Sequence, residues 1–455
     1  MVRKCIYCGK SENLSESDII PDALTNARIL NKNVCRVEHN NKFSDMFESE
    51  VIQKLALVTN NLDIKSSKSR NYHKYDASVI LNGEKYVAKK IGSDTELFKG
   101  RKLKSEDGKH LLGPLENTQI RSTLEHEVKI VDINQLEIEI KIELDINVYF
   151  SLAMFRMVAK IAYEWYCLKN EINDTYSEFD EIIKFVTTGK GNSVVSIVAE
   201  SGVYDFAKGN NEYGSHFLIL YVDKYGGVNV IVNLFGIVLY RVKISKVIPE
   251  INKYTCVYQE LLIDGTRNEV KYGSFRELDK SLSRSFIEVS GGEITYMLPV
   301  DMQDFLLVKK LFLYHISEYI ANGVLEYISP NEELVELIVN NLNNLLKESL
   351  LHKKSIKRFV KEHIISFDRE IQLNPNGTDR KGIFMFYILY LIGKGKCESI
   401  DINKINELVN REVKEKFKNQ YVINDEVCET LKKIMMKDKD YSTYILKGAK
   451  VVNEW

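Results

Sequence analysis

The chain has 455 residues, of which 44% are hydrophobic and 28% are charged. A chain of this length and composition can build more than one hydrophobic core, so we expect about two to four domains and exclude an intrinsically disordered protein. The 63 basic and 64 acidic side chains leave a net charge of −1. That balance excludes a uniformly basic nucleic-acid-binding protein but allows a locally basic face.

Neither a membrane span nor a secretory signal is predicted. The longest apolar run, residues 383–392, is well short of the roughly 20 residues needed to cross a bilayer. The first eight residues contain no apolar signal core, and seven cysteines are few for a disulfide-rich secreted protein. We therefore expect a cytoplasmic protein with no membrane partner.

The first predicted region, residues 1–62, is polar and too small to build a large core of its own. Its final part, from Asp45 to Leu62, has apolar residues at helical spacing and therefore predicts a helix. We expect this region to be a separate small module.

The second predicted region, residues 63–300, is a mixed middle region. Apolar and charged residues alternate over 136–144, which predicts a strand with one solvated face, and residues 151–188 predict two helices. The third region, residues 301–455, has helical periodicity and predicts a helical C-terminal domain. The predicted fold class is therefore α+β, with antiparallel strands in the middle region.

Three of the seven cysteines lie within the first 35 residues and indicate a metal site. Cys5 and Cys8 form a Cys-x-x-Cys turn, and after 26 intervening residues Cys35 and His39 form a second pair. Two such pairs joined by a loop are typical of a tetrahedral zinc site, and four protein ligands would make the Zn²⁺ structural. The alternative is that these are ordinary small buried side chains.

Together these motifs resemble the HNH endonuclease family, of the zinc-stabilised ββα-metal or treble-clef-like type. The resemblance covers about residues 4–50, through Cys-x-x-Cys-Gly-Lys, Asp18-Ile-Ile-Pro, Asn33-Val-Cys and Asn40-Asn-Lys-Phe. It implies a metal-dependent DNA endonuclease that hydrolyses phosphodiester bonds with Mg²⁺ or Mn²⁺. It also implies DNA as a partner and bacterial defence against phage or foreign DNA as the setting.

The sequence departs from the family pattern at the catalytic motif. Where the family has an acidic residue followed by a histidine general base, this chain has Ser17 and Asp18. A carboxylate is a weaker base than imidazole near neutral pH, but it could instead bind Mg²⁺. The candidate catalytic residues implied by the resemblance are Asp18, Asn40, Glu48 and Glu16, which could still assemble a metal-assisted hydrolase.

Two functions stay open from the sequence. The first is an HNH endonuclease in which the rest of the chain senses a trigger, recognises DNA or mediates oligomerisation. The second is a catalytically degenerate HNH-fold protein that binds nucleic acid or acts in assembly or sensing. Residues 1–110 contain 20 basic and 15 acidic side chains, an excess that favours DNA as a partner. A homo-oligomer or a protein partner would use the C-terminal domain.

Overall fold

The fold is described from a computed structural model. Apart from short gaps and a few isolated residues, the structure describes residues 3–102, 110–114, 128–132, 138–141, 145–199, 212–272, 286–290, 293–297, 326–327, 330–351, 380–396 and 425–454. The chain divides into two compact units, of which the first holds Met1–His73 and Leu144–Leu345 and the second holds Lys74–Glu143 and Leu346–Trp455. The three regions expected from the sequence stay a prediction.

The chain begins with a β-hairpin followed by helical segments. Strand β1 (Leu14–Asp18) pairs antiparallel with β2 (Leu30–Cys35), and a bulge interrupts the ladder between Ser15 and Ser17. Two wide π-type turns and two short helices come next, namely Arg36–Asn41, Ser44–Glu48, α1 (Ser49–Lys54) and α2 (Ala56–Asn61). The apolar side chains that predicted a helix here are all buried: Phe47, Val51, Leu55 and Val58.

The next part of the chain belongs to the second unit, and its described residues form two antiparallel sheets. The larger has the strand order β6-β5-β4-β3-β9, and the smaller pairs β7 with β8. The strands are β3 (Tyr75–Leu81), β4 (Glu84–Ile91), β5 (Asp94–Lys99), β6 (Arg101–Lys102), β7 (His110–Pro114), β8 (Val128–Asp132) and β9 (Ile138–Lys141). Strand β9 lies within the alternating segment that predicted a strand.

Two helices of the first unit follow, α3 (Leu152–Lys169) and α4 (Asp180–Thr188). The Ser151 hydroxyl caps α3 by accepting a hydrogen bond from the Met154 N–H at 3.1 Å. Helix α3 is buried along most of its length because it lies between the N-terminal hairpin and the main sheet of this unit. It therefore supplies side chains to both.

The main sheet of the first unit has seven antiparallel strands in the order β15-β14-β11-β12-β13-β10-β18. Its central strands are buried on both faces, which explains their near-continuous apolar sequence. The strands are β10 (Val195–Val198), β11 (His216–Val222), β12 (Val228–Leu234), β13 (Val238–Ser245), β14 (Cys256–Leu261), β15 (Arg267–Tyr272) and β18 (Glu326–Tyr327), and a separate hairpin pairs β16 (Phe286–Ser290) with β17 (Glu293–Met297).

The described residues of the C-terminal part are mainly helical, as predicted, and the class of the described structure is α+β with antiparallel sheets. The helices are α5 (Glu332–Leu351), α6 (Arg380–Gly393), α7 (Asp425–Met436) and α8 (Tyr441–Glu454). One difference from the prediction is β18, a short strand in a region of helical periodicity. Pairing with β10 satisfies the hydrogen-bonding groups of its backbone. No helix in the described part of the chain is long and apolar enough to cross a bilayer.

Candidate metal centre and the predicted catalytic residues

Four side chains near the N-terminus converge on one point: Cys5, Cys8, Cys35 and His39. Their ligand atoms all lie within 4.8 Å of one another. Cys5 Sγ is 3.4 Å from His39 Nδ1, and Cys8 Sγ is 3.6 Å from Cys35 Sγ. Tetrahedral Zn²⁺ with bonds of about 2.3 Å to sulfur would hold its sulfur ligands about 3.8 Å apart. The spacing therefore suits a single ion of this kind.

The local backbone brings these ligands together. The Cys-x-x-Cys turn closes through a 2.8 Å hydrogen bond from the Gly9 N–H to the Cys5 carbonyl, and Gly9 has a φ of 70°, which glycine adopts without strain. Cys35 ends β2, and its N–H donates to Cys5 Sγ at 3.3 Å. His39 lies in the π-type turn that starts directly after Cys35. The tight turn therefore supplies Cys5 and Cys8, and the end of β2 with the π-type turn that follows it supplies Cys35 and His39.

Burial sets the protonation of the ligands. It raises the pKa of the Cys5 thiol, although N–H groups of Tyr7, Cys35 and Cys8 oppose this, and it raises the pKa of Cys35 to about 12. Burial lowers the pKa of His39, which keeps the imidazole neutral and able to bind a metal near neutral pH. A bound cation deprotonates such thiols outright. The four side chains could therefore hold a structural zinc ion.

Aromatic packing connects this centre to α3. The Tyr7 ring lies 5.1 Å from the His39 ring and 5.4 Å from the Tyr163 ring, measured between centroids. The Tyr163 hydroxyl donates to the Ile6 carbonyl at 2.9 Å. The metal-ligand turn is therefore held against the helix by both apolar contact and a buried hydrogen bond.

Two of the predicted catalytic residues lie on β1, and each is paired with a basic side chain. Arg28 contacts both carboxylate oxygens of Asp18, with 3.1 Å between Nη2 and Oδ2, which is a bidentate pair. Glu16 lies at the bulge, is exposed, and is 3.4 Å from Lys32 Nζ. The carboxylates of Glu16 and Asp18 therefore have different partners.

The other two predicted catalytic residues lie in the helical segments that follow β2. Asn40 Nδ2 donates to Ser15 Oγ and to the Glu16 carbonyl, each at 3.2 Å, so its amide braces the bulge. Glu48 is 7% exposed, and its Oε1 lies 2.9 Å from the ammonium of Lys160 on α3. All three candidate carboxylates are therefore paired with separate basic side chains.

Sequence patterns do not identify Lys160 and Glu164 as site residues, although both are buried here. Lys160 Nζ also donates to the main-chain oxygens of Asp18 and Ile19, and it lies 3.8 Å from Glu164 Oε2. The Tyr7 hydroxyl donates to Glu164 Oε1 at 3.2 Å. A signal was present, because charged residues four apart on α3 lie on one face of the helix. Apolar periodicity identifies the helix but does not reveal this buried charged pair.

The two charged groups on α3 affect each other strongly. Burial lowers the pKa of Lys160, but the nearby carboxylates of Glu164 and Glu48 outweigh it, so the pKa is raised overall and the amine is an ammonium ion. Burial raises the pKa of Glu164 to about 7. The ammonium is therefore permanently charged near neutral pH, whereas Glu164 can carry a proton.

The Cys/His cluster is the only group of three or more histidine, cysteine, aspartate or glutamate side chains placed to hold a metal ion among the residues that the structure describes. No protein-family model, curated protein or solved structure matches the chain significantly. The chemistry of the site therefore rests on its own geometry.

Proposed function

We propose that residues 4–50 form an HNH-like module that holds one structural Zn²⁺ and is catalytically silent. On this proposal the protein acts as a nucleic-acid-binding or assembly scaffold. Three thiols and one imidazole at tetrahedral spacing are a donor set that favours zinc over hard cations. The likeness to the HNH family is supported by the order of elements, a hairpin followed by helical segments, with the metal ligands at its edge.

The observation that carries the proposal is the pairing of the candidate catalytic carboxylates. A general base or a metal ligand needs a lone pair that faces the reacting groups. Both carboxylate oxygens of Asp18 face Arg28, and the Glu48 carboxylate faces a buried ammonium. A divalent ion at Glu48 would lie beside this ammonium and would be repelled by it. These contacts favour a silent module over the endonuclease expected from the resemblance.

The distribution of charge along the sequence favours DNA binding outside the zinc module. Residues 1–62 contain eight basic and eight acidic side chains, so the positive excess of the N-terminal part lies in residues 63–110, with 12 basic and seven acidic. Within that segment, Lys85 and Lys89 are exposed on β4. Contacts with DNA phosphates are therefore expected from this segment rather than from the zinc module.

Metal analysis of the purified protein tests the zinc. We expect about one zinc per chain. Cys5→Ala should lose the zinc, whereas the control Cys256→Ala should keep it, because Cys256 is buried in β14 away from the cluster. Wild-type protein without zinc, or Cys5→Ala that still binds it in full, would contradict the proposal.

A plasmid-cleavage assay with Mg²⁺ or Mn²⁺ separates the two functions. We expect wild-type protein to leave supercoiled DNA intact. Metal-dependent cleavage that is lost in Glu48→Gln would establish the endonuclease instead. An Asp18→His variant restores the histidine of the family pattern, and its activity would show that the module is disabled at that residue alone. An inactive but folded Asp18→His variant would show that the buried ion pairs also prevent catalysis.

An electrophoretic mobility assay with duplex DNA tests the proposed binding segment. The double variant Lys85→Glu/Lys89→Glu should weaken binding. A control of equal charge change on exposed residues of the module, Arg36→Glu/Lys42→Glu, should have a smaller effect. A larger loss of binding in Arg36→Glu/Lys42→Glu than in Lys85→Glu/Lys89→Glu would instead indicate that the zinc module contacts DNA. No binding by any of these proteins would leave assembly as the function, which light scattering measures.

A further inference from the structure

Oxygen atoms surround the buried ammonium of Lys160. The Asp18 carbonyl accepts a hydrogen bond from Nζ, Glu48 Oε1 lies at 2.9 Å, the Ile19 carbonyl at 3.4 Å and Glu164 Oε2 at 3.8 Å. The Lys160 side chain is 2% exposed, and that of Glu164 is completely buried. The ammonium is thus held by two carboxylates and two main-chain oxygens inside the protein.

Three oxygens of this pocket are not fully satisfied. Ser17 Oγ, Glu48 Oε1 and Glu164 Oε2 are buried and make no hydrogen bond of good geometry within the described part of the chain, although Glu48 Oε1 lies 2.9 Å from the ammonium and Ser17 contacts the Glu164 carboxylate. Ser17 is completely buried and lies next to Glu164. A lysine ammonium has only three protons to donate, and main-chain oxygens take part of that capacity. The pocket therefore offers more oxygen ligands than Lys160 can satisfy.

We propose that this pocket is a cation site in which Lys160 supplies the cation, and that removal of the ammonium creates a binding site for a hard divalent ion such as Mn²⁺. This inference rests on the proposed function, because the Lys160 ammonium lies beside Glu48, where the resemblance implies a catalytic metal ion. Carboxylate, carbonyl and hydroxyl oxygens are the ligands that Mg²⁺, Ca²⁺ and Mn²⁺ prefer. Shortening the side chain at this position would leave room for such an ion and its bound water.

The pocket differs in chemistry from the Cys/His cluster. The cluster offers soft thiols and suits zinc, whereas the pocket offers oxygens alone. Zinc-loaded protein therefore allows Mn²⁺ binding at the pocket to be measured without competition from the cluster. A divalent ion bound in place of the ammonium would favour the ionised form of both carboxylates, and their two negative charges would match its charge.

The experiment measures thermal unfolding of zinc-loaded, full-length Lys160→Ala with and without Mn²⁺. We expect Mn²⁺ to raise the Tm of this variant by about 5–10 °C when its concentration is a hundredfold above the dissociation constant. Mn²⁺ electron paramagnetic resonance should show about one ion bound per chain. Wild-type protein should show neither effect, because the ammonium occupies the pocket.

Two further variants control for the pocket. Lys160→Met fills the same space without a charge and should not respond to Mn²⁺, and Lys160→Ala/Glu48→Gln should lose most of the response. If Lys160→Ala alone does not fold, Lys160→Ala/Glu164→Gln removes one buried charge, and a smaller Mn²⁺-dependent rise is expected there. A folded alanine variant whose Tm is unchanged by Mn²⁺, or an equal rise in wild type, would overturn the inference. DNA cleavage by wild type would refute the proposed function without deciding this point.

Discussion

Replacing Glu164 by glutamine tests the protonation of the buried ion cluster. The pKa of Glu164 is raised from an ordinary value of 4.5 to about 7, chiefly by burial. Between these two pH values the folded protein therefore binds one proton more than the unfolded chain does. Stability from this group is fully present below about pH 4.5 and is lost as the pH rises to about 7. The loss amounts to at most about 3 kcal/mol.

Glu164→Gln lacks this titration, so its stability relative to wild type should rise by up to about 3 kcal/mol between pH 4.5 and 7.5. Any change in hydrogen bonding to Tyr7 adds an offset that does not depend on pH. Urea unfolding followed by the fluorescence of the neighbouring Trp165 measures the difference. The control Glu12→Gln changes an exposed glutamate and should leave the wild-type profile unaltered. Parallel pH profiles for Glu164→Gln and wild type would show that Glu164 does not take up a proton on folding.

Two further predictions concern packing and a buried hydrogen bond. A Cβ on Gly448 of α8 would lie 2.0 Å from the Leu389 carbonyl of α6, so Gly448→Ala should cost about 1–3 kcal/mol or more in urea unfolding, whereas Lys450→Ala, at an exposed position of the same helix, should cost little. Trp165 Nε1 donates to buried Gln259 Oε1 at 2.6 Å. Trp165→Phe should therefore lower stability by about 1–3 kcal/mol, and adding Gln259→Leu should recover part of the loss.

The metal-ligand cluster could be predicted from the sequence because its ligands come in two short-range pairs. Cys5 and Cys8 share one turn, and Cys35 and His39 lie at the end of β2 and in the turn that follows it. The short spacing within each pair restricts where its two side chains can lie. The only further assumption is that the intervening loop brings the two pairs together. The α+β class was predictable for a similar reason, since alternating and helical periodicities are local signals.

The ion pairs that decide the chemistry could not be predicted in the same way. Lys160 meets Glu48 across more than one hundred residues of chain, and only the packing of α3 against the N-terminal module brings them together. Arg28 reaches Asp18 because the pairing of β1 with β2 sets Leu30, two residues after Arg28, opposite Asp18. The bulge between Ser15 and Ser17 also alters this register. The resemblance indicated which residues to compare, but it carried no information about their partners in this chain.

Anomalous diffraction from a crystal of the zinc-loaded wild-type protein soaked in Mn²⁺ would distinguish a silent zinc module from a metal-dependent nuclease. We predict a zinc peak among the Cys5, Cys8, Cys35 and His39 side chains, and no manganese peak beside Glu48, where the Lys160 ammonium lies. A manganese peak bound by Glu48, with the ammonium displaced, would show that the module is not silent. It would restore metal-dependent cleavage as the leading function.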